Sequence, residues 1–399
     1  MFSVAIKTMN VVFFDPLNVD ALLPLTYTRP VVELRVGGLT LSEKWSLHLG
    51  HKGSWITRDY LQNLYPSNLT QDNWFISGDL LPNDILAQQL MALESGQGLR
   101  NDQGVIAWRG PEFCADLDPN GIRWVSPQKE VTRVGHTWDV FGLTSEEIVN
   151  DIELLNGSGP YARLPQQVQC TNPDQVFIAS DAILEHCTLN TTDGPIYIDQ
   201  SVHIMEGALL RGPLFIGAHS VVKMGAKIYG GTAIGPHCKV GGEINNSVIM
   251  GYSNKSHDGF LGNSVLGYWC NLGADTNTSN LKNNYDQVRL WNYQNERFSP
   301  TGLQFCGLVM GDHSKCAINT MFNTGTVVGV SANVFGAGFP RNFIPSFSWG
   351  GAASMTTYAL DKASQTAKRV VARRGMNWTQ ADQSLFETVF ERSAKWRRD

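Results

Sequence analysis

His257 lies in Ser253-Asn254-Lys255-Ser256-His257-Asp258-Gly259-Phe260-Leu261-Gly262-Asn263-Ser264, and Asn271-Leu272-Gly273-Ala274 follows soon after. One histidine among small and amide side chains suits general-base chemistry. An imidazole with a pKa of about 6.5 takes a proton from an amine or hydroxyl at neutral pH. Backbone N–H groups at a tight corner beside it would hold an oxyanion. This pattern predicts acyl transfer from a thioester, with His257 and Asn271 as the catalytic pair and Ala274 beside them. Taken alone, His257 reads more readily as a histidine with a structural partner. The repeat that surrounds it favours the catalytic reading.

A second group of charged residues sits near the N-terminus. Asn10–Asp15 and Asn73–Ser77 read as buried parallel strands, continuous in β-branched and aromatic residues. Between them a segment around Ser42–Leu49 has a helical pattern. Alternating strands and helices suggest an α/β sheet, whose ligands bind beyond the carboxyl ends of its strands. Arg29, Arg35, Lys44 and Asp79 fall at or just after such ends. Three cations and a carboxylate suit a phosphate and a metal ion, although position alone favours ordinary loop charges. Asp139, within Thr137–Phe141, also follows a strand-like run.

The element that must position His257 is a repeat. Ile198, Ile204, Leu210, Ile216, Val222, Ile228, Ile234 and Val240 recur at every sixth residue. That period fits neither a helix nor a plain strand. Small residues and glycines flank the aliphatics, as in Ile216-Gly217 and Ile234-Gly235. This is the hexapeptide pattern of a left-handed parallel β-helix, in which three hexads close one triangular coil and coils stack to bury a shared interior. The period returns at Leu266 and Leu272, and again from Met310 through Cys316, Phe322 and Val328 to Val334. Two interruptions, near Asn245–Leu261 and Asn280–Gln304, predict loops on one face, where a binding site belongs. After Val334 the aromatic, proline-rich Phe339–Gly351 reads as a cap or a trimer contact. Two helices, about Thr356–Arg374 and Thr379–Ala394, end the chain, the second opening on a capping-box-like Thr379 and Asp382.

The fold class expected is therefore an α/β domain over residues 1–170, a β-helix over 171–350 and a helical extension over 351–399. Composition agrees with a soluble globular protein: 399 residues, 42% hydrophobic, 17% charged, net charge −5. A mildly acidic chain with no Lys/Arg run excludes an electrostatic footprint for nucleic acid. Seven cysteines without a Cys-x-x-Cys pair point to reduced, buried thiols and a cytoplasmic protein. Met1–Lys7 lacks the apolar stretch of a signal peptide, and no run is long enough to insert in a membrane.

His257-x-x-Phe260-Leu261-Gly262-Asn263-Ser264, Leu266-Gly267 and Asn271-Leu272-Gly273-Ala274 together resemble the acetyltransferase half of the bifunctional N-acetylglucosamine-1-phosphate uridyltransferase/glucosamine-1-phosphate N-acetyltransferase family. The likeness includes the five-residue step from Leu261 to Leu266 inside a six-residue repeat. It is strongest to the variant branch of Bacteroides-type bacteria, through Leu22–Lys44, Ser253–Tyr285 and Phe343–Gly351. The resemblance implies a sugar nucleotidyltransferase-like N-terminal domain and a homotrimer. It implies acetyl transfer from acetyl-CoA to an amino-sugar 1-phosphate, then uridylyl transfer from UTP with Mg²⁺ to give UDP-N-acetylglucosamine. By the same resemblance Ala274 contacts acetyl-CoA, and Lys223, Lys255, Phe260, Asn284 and Tyr285 contact the amino sugar. Arg29, Arg35 and Lys44 would meet nucleotide phosphates, and Asp79 and Asp139 the metal. The family usually carries Tyr in place of Phe260 and Lys in place of Asn245, and Lys255 supplies the missing charge. Asp15–Leu23 lacks the glycines of the family's nucleotide loop, whereas Pro24-Leu25-Thr26, Arg29-Pro30, Lys44 and Gly78-Asp79 are similar.

Overall fold

A computed structural model describes residues 9–155 and 161–397. Residues 1–8, which include the stretch read as lacking a signal peptide, lie outside the described residues. The chain forms two compact units. The first comprises residues up to Val19, Arg29–Leu34 and Thr40–Gly135, and the second Asp20–Thr28, Arg35–Leu39 and His136 onward. The later unit thus takes in the chain from His136 onward together with two short N-terminal segments.

The first unit is built on a six-stranded mixed sheet. Its strands are β1 (Val11–Phe14), β2 (Ser54–Ile56), β3 (Asn73–Ser77), β4 (Gln97–Asn101), β5 (Gly104–Gly110) and β6 (Arg123–Val125), in the order β2-β1-β3-β5-β4-β6. β1 runs parallel to β2 and β3, as its unbroken apolar run predicts, and β3 pairs antiparallel with β5. Phe14, Phe75 and Trp108 form an aromatic core, with Trp108 at 5.2 Å from Phe14 and 4.9 Å from Phe75 between ring centres. Helix α1 (Leu41–Leu49) starts at a capping box made by Thr40 and Glu43, and α2 (Asp84–Met91) starts at Asn83.

The second unit opens with short helices α3 (Asp139–Gly142) and α4 (Thr144–Leu155) and continues as a parallel β-helix of three sheets, with six, nine and ten strands. The hexad aliphatics rotate among these faces as a three-sided coil requires. Ile198, Ile216, Ile234, Ile249, Leu266, Met310, Val328 and Ile344 stack in register on one sheet. Leu184, Ile204, Val222 and Val240 stack on the second, and Leu189, Leu210, Ile228, Ile244 and Leu261 on the third. All are buried. At one corner the left-handed residues His219, His237, Tyr252 and Trp269 stack ring on ring at 4.6, 4.6 and 4.3 Å.

Asn280–Gln304 leaves the coil as a loop that carries an antiparallel hairpin, Arg289–Asn292 with Arg297–Pro300. The repeats do not end at Val334. Phe343–Ile344 pairs with Val327–Val328, and Ser348–Gly350 with Asn333–Val334, so the aromatic stretch forms a further coil. Ile344 supplies its inward aliphatic, and buried Phe347 turns its corner at φ 55°. Helices α5 (Leu360–Ala372) and α6 (Gln380–Arg392) follow, α6 with the Thr379–Asp382 capping box. All seven cysteines are free, and among the described residues no helix is long and apolar enough to cross a membrane.

Candidate functional site

The loop Ser256–Gly259 crosses one corner of the β-helix, clamped between the coil below and the coil above. Below it, Gly241 N–H donates to Lys255 O at 2.7 Å and Glu243 N–H to Gly259 O at 3.1 Å. Above it, Asp275 N–H donates to Asp258 O at 3.1 Å. The glycines here are steric requirements. Gly242 has φ +69°, and a Cβ on it would lie 2.7 Å from His257 O. On Gly259, at φ +110°, a Cβ would lie 2.1 Å from Thr276 O. His257 stands exposed on this loop, with no side-chain hydrogen bond among the described residues. Other histidines have packing roles: His219 and His237 are in the corner stack, and His203 Nε2 lies 3.0 Å from Glu185.

Lys255 holds the loop from inside. It occupies the inward position of Val240 one coil below, and because Asn254 pairs with Asn271 it is level with Leu272 above. Its side chain is 2% exposed. Its ammonium donates to the carbonyls of His257 and, at 3.2 Å, Asp258. Burial pushes its pKa down to about 8, while Asp258 opposes the shift. Lys255 therefore does not face a sugar phosphate as expected. A buried ammonium needs local acceptors, and the two loop carbonyls supply them.

Asn271 lies on the outer side of the ten-stranded sheet, where its Oδ1 accepts from Asn254 Nδ2 at 3.3 Å. Arg374, just past α5, donates to Asn254 Oδ1 at 3.5 Å. This contact spans 120 residues and has no signal in the sequence near either residue. Ala274 is in the corner above His257, its carbonyl taking Asn319 N–H at 2.8 Å. Phe260 is half-buried, its N–H on Asn277 Oδ1 at 2.9 Å. Lys223 lies one coil below Gly241, whose added Cβ would come within 3.2 Å of Lys223 Cβ. His257, Ala274, Phe260 and Lys223 are thus carried on neighbouring coils. Asn284 and Tyr285 are instead on an exposed turn, Asn284 bonded to Asp286 at 2.5 Å and Tyr285 65% exposed. Asn280, which no motif marks, is the amide held at the coil, its Nδ2 donating to Asn263 Oδ1 at 2.8 Å.

In the first unit the candidate metal ligand Asp79 is 3% exposed and already occupied. Arg133 Nη1 donates to both its oxygens at 2.8 and 3.0 Å, and Ser77 Oγ donates at 2.6 Å. Nearby Asp15 accepts from Val31 N–H at 2.8 Å and Thr57 Oγ1 at 2.5 Å, with Arg58 at 3.6 Å. Burial raises the Asp15 carboxyl above the ordinary range, opposed chiefly by Arg58. Arg29 and Lys44 are buried in this unit. Arg35 and Asp139 belong to the second unit. Arg35 Nε donates to Met250 O at 3.2 Å, a structural bond across 215 residues, and Asp139, the first residue of α3, accepts His136 N–H at 2.8 Å. Of the expected nucleotide and metal residues, Arg29, Lys44 and Asp79 thus belong to the first unit. Among the described residues no three His, Cys, Asp or Glu side chains cluster as a metal site. With Asp79 bonded to an arginine, the donors present do not fit Mg²⁺ as arranged.

Several known proteins are similar to parts of the chain. It is 28% identical over 241 residues to "Bifunctional protein GlmU" of Synechococcus elongatus, covering 56% of this chain and 48% of that protein. It is 32% identical over 87 residues to "Bifunctional protein GlmU" of Methanocaldococcus jannaschii, covering 22% of this chain and 21% of that protein. It is 31% identical over 93 residues to the "Bifunctional sugar-1-phosphate nucleotidylyltransferase/acetyltransferase" of Sulfurisphaera tokodaii, covering 23% of each chain. The chain thus spans half or less of the length of these relatives. Residues 11–158 match the family described as "Sugar nucleotidyl transferase".

Proposed function

We propose that this protein is a bifunctional enzyme of sugar-nucleotide synthesis. It transfers acetyl from acetyl-CoA to an amino-sugar 1-phosphate, glucosamine 1-phosphate, and uridylyl from UTP to give UDP-N-acetylglucosamine. The observation that carries the first activity is the exposed His257 on a loop clamped between two coil corners. In this reading the imidazole takes the proton of the sugar amine as its nitrogen attacks the thioester carbonyl. A C–N bond forms, the C–S bond breaks, and CoA leaves as the thiol after protonation. Asn271 and the corner at Ala274 orient the thioester, Phe260 borders the sugar, and Lys223 meets its phosphate. The matches to bifunctional relatives and to the sugar nucleotidyl transferase family support the pairing of activities. The likeness of Leu22–Lys44 and Ser253–Tyr285 supports membership of the Bacteroides-type branch.

The nucleotidyl half would use UTP with Mg²⁺, through Arg29 and Lys44. A second reading keeps acetyl transfer and gives this half a binding role only, and the Asp79–Arg133 pair favours it. We also infer a cytoplasmic homotrimer. The free thiols support the first, and the outward Leu209, Met224 and Tyr229, 50%, 68% and 43% exposed, support the second. One assay panel tests these readings: CoA release with acetyl-CoA and glucosamine 1-phosphate, and pyrophosphate release with UTP, Mg²⁺ and N-acetylglucosamine 1-phosphate. Both activities support the bifunctional reading. CoA release alone supports the second, and neither overturns both.

A further inference from the structure

A cavity of about 1020 Å³ lies in the second unit where the hairpin Arg289–Pro300 meets the last coil and the C-terminal residues. Five of its lining residues are cationic: Lys282, Arg289, Arg341, Lys395 and Arg397. None is Asp or Glu, although the chain has 36 acidic residues against 31 Lys and Arg. Lys395 pairs with Glu296 outside the lining. Arg397 is spread over the Phe390 ring at 4.0 Å and donates to Ser393 Oγ at 2.7 Å. Lys282, Arg289 and Arg341 make no salt bridge among the described residues. Like charges gathered around a concavity repel one another, and an anion inside it removes that cost.

The rest of the wall is aromatic. Trp291 stacks on Phe343 with ring centres 4.2 Å apart and planes at 11°, and Phe298 meets Trp291 edge-on at 5.5 Å. The indole N–H groups of Trp291 and Trp396 are buried and without an acceptor among the described residues. A tryptophan N–H only donates, so each lacks the acceptor that a buried donor needs. Cations and unfilled donors call for an anion rich in acceptor oxygens, and the flat rings call for a flat partner.

We propose that this cavity binds a nucleoside pyrophosphate, with its phosphates on Arg289, Arg341 and Lys282 and its base against the aromatic wall. None of the residues assigned above to acyl transfer lines it, so the inference stands beside the proposed activity and not on it. The chemistry is shared by the adenosine end of CoA and by the uridine diphosphate of a nucleotide sugar.

Titration calorimetry on the full chain tests it with ADP, UDP and inorganic pyrophosphate as probes, on the native protein and on Arg289→Glu/Arg341→Glu. We expect one of the nucleotides to bind more tightly than pyrophosphate. The double variant, its fold checked by circular dichroism, should bind that nucleotide at least tenfold more weakly, about one lost charge-assisted contact. Arg341 is exposed with no hydrogen bond among the described residues, so Arg341→Glu alone keeps the test if the pair misfolds. Preference for ADP assigns the site to CoA, and preference for UDP to the nucleotide sugar. His257→Ala should leave this binding unchanged, whether or not acetyl transfer is lost. Absence of nucleotide binding, pyrophosphate binding as tightly as both nucleotides, or variants that bind like the native protein would each overturn the proposal.

Discussion

Replacing Lys255 by Met separates two effects of a buried ammonium. In the native chain burial brings its pKa from 10.5 down to about 8. At neutral pH the group is therefore charged in both the folded and unfolded states, and the folded state bears a cost of about 3 kcal/mol. Lys255→Met removes that cost. It also removes the charge-assisted bonds to the carbonyls of His257 and Asp258, worth about 1.5–3 kcal/mol each before compensation. Asp258 O keeps Asp275 N–H, whereas the chain offers no other donor to His257 O among the described residues. The terms nearly cancel, so the melting temperature at pH 7 should change little. The sign of the pH dependence is the sharper test. As pH rises from about 8 to 10.5, the unfolded chain holds its Lys255 proton and the folded chain gives it up, so the native protein gains stability relative to the Met variant, by up to about 3 kcal/mol. Taking the difference between the two proteins cancels the buried thiols, whose raised pKa values lower stability in alkali in both. Turnover should fall ten- to a hundredfold with KM little changed, because the His257 loop loses its inner tether. Denaturant titrations at pH 7 and 9.5, with CoA-release kinetics, measure all three. A stability difference that does not move with pH, or native turnover in the variant, would refute the tether.

His257→Ala should lower acetyl transfer by about two to four orders of magnitude and flatten the acid limb of the pH–rate profile, while acetyl-CoA affinity holds. Gly242→Ala should cost about 1–3 kcal/mol in denaturant titration and depress acetyl transfer, since it strains the corner and drives a Cβ against His257 O. Asp79→Asn should abolish pyrophosphate release and spare acetyl transfer. It should also lose about 3 kcal/mol with or without Mg²⁺ by leaving Arg133 unpaired, and unchanged stability would show that the pair is not a strong tie. Light scattering should give three times the chain mass, and a monodisperse monomer would remove the trimer.

The β-helix was legible because its physics is local: an aliphatic every sixth residue fixes the coil, and Gly241-Gly242 and Gly259 mark where His257 crosses it. What escaped depends on partners distant in sequence. The coil at Phe343–Gly351 has one inward aliphatic, Ile344, and turns on Phe347, so no hexad announces it. Arg35 looked like a phosphate ligand after a strand, yet its partner is the carbonyl of Met250, which no pattern near residue 35 reveals. Lys255 looked like a charge on a polar loop. Its place in the column of Val240 and Leu272 shows only when register is known, and register turns the same residue from a ligand into a strut.

The two candidate sites differ in how far their reactive groups are already satisfied. In the His257 loop the backbone takes up the stabilising bonds: Lys255, Asp275 N–H and Glu243 N–H all act on carbonyls, and the imidazole of His257 is left exposed. A base must be placed rigidly without being neutralised, and a loop held by its backbone meets both demands. Around Asp79 the satisfaction falls on the side chain itself. Arg133 bonds both carboxylate oxygens and Ser77 bonds one, so a cation arriving there must break a buried ion pair before it gains a ligand. If Asp79 is to serve the proposed nucleotidyl activity, Arg133 has to release it first, a rearrangement that the proposed acetyl transfer at His257 does not need.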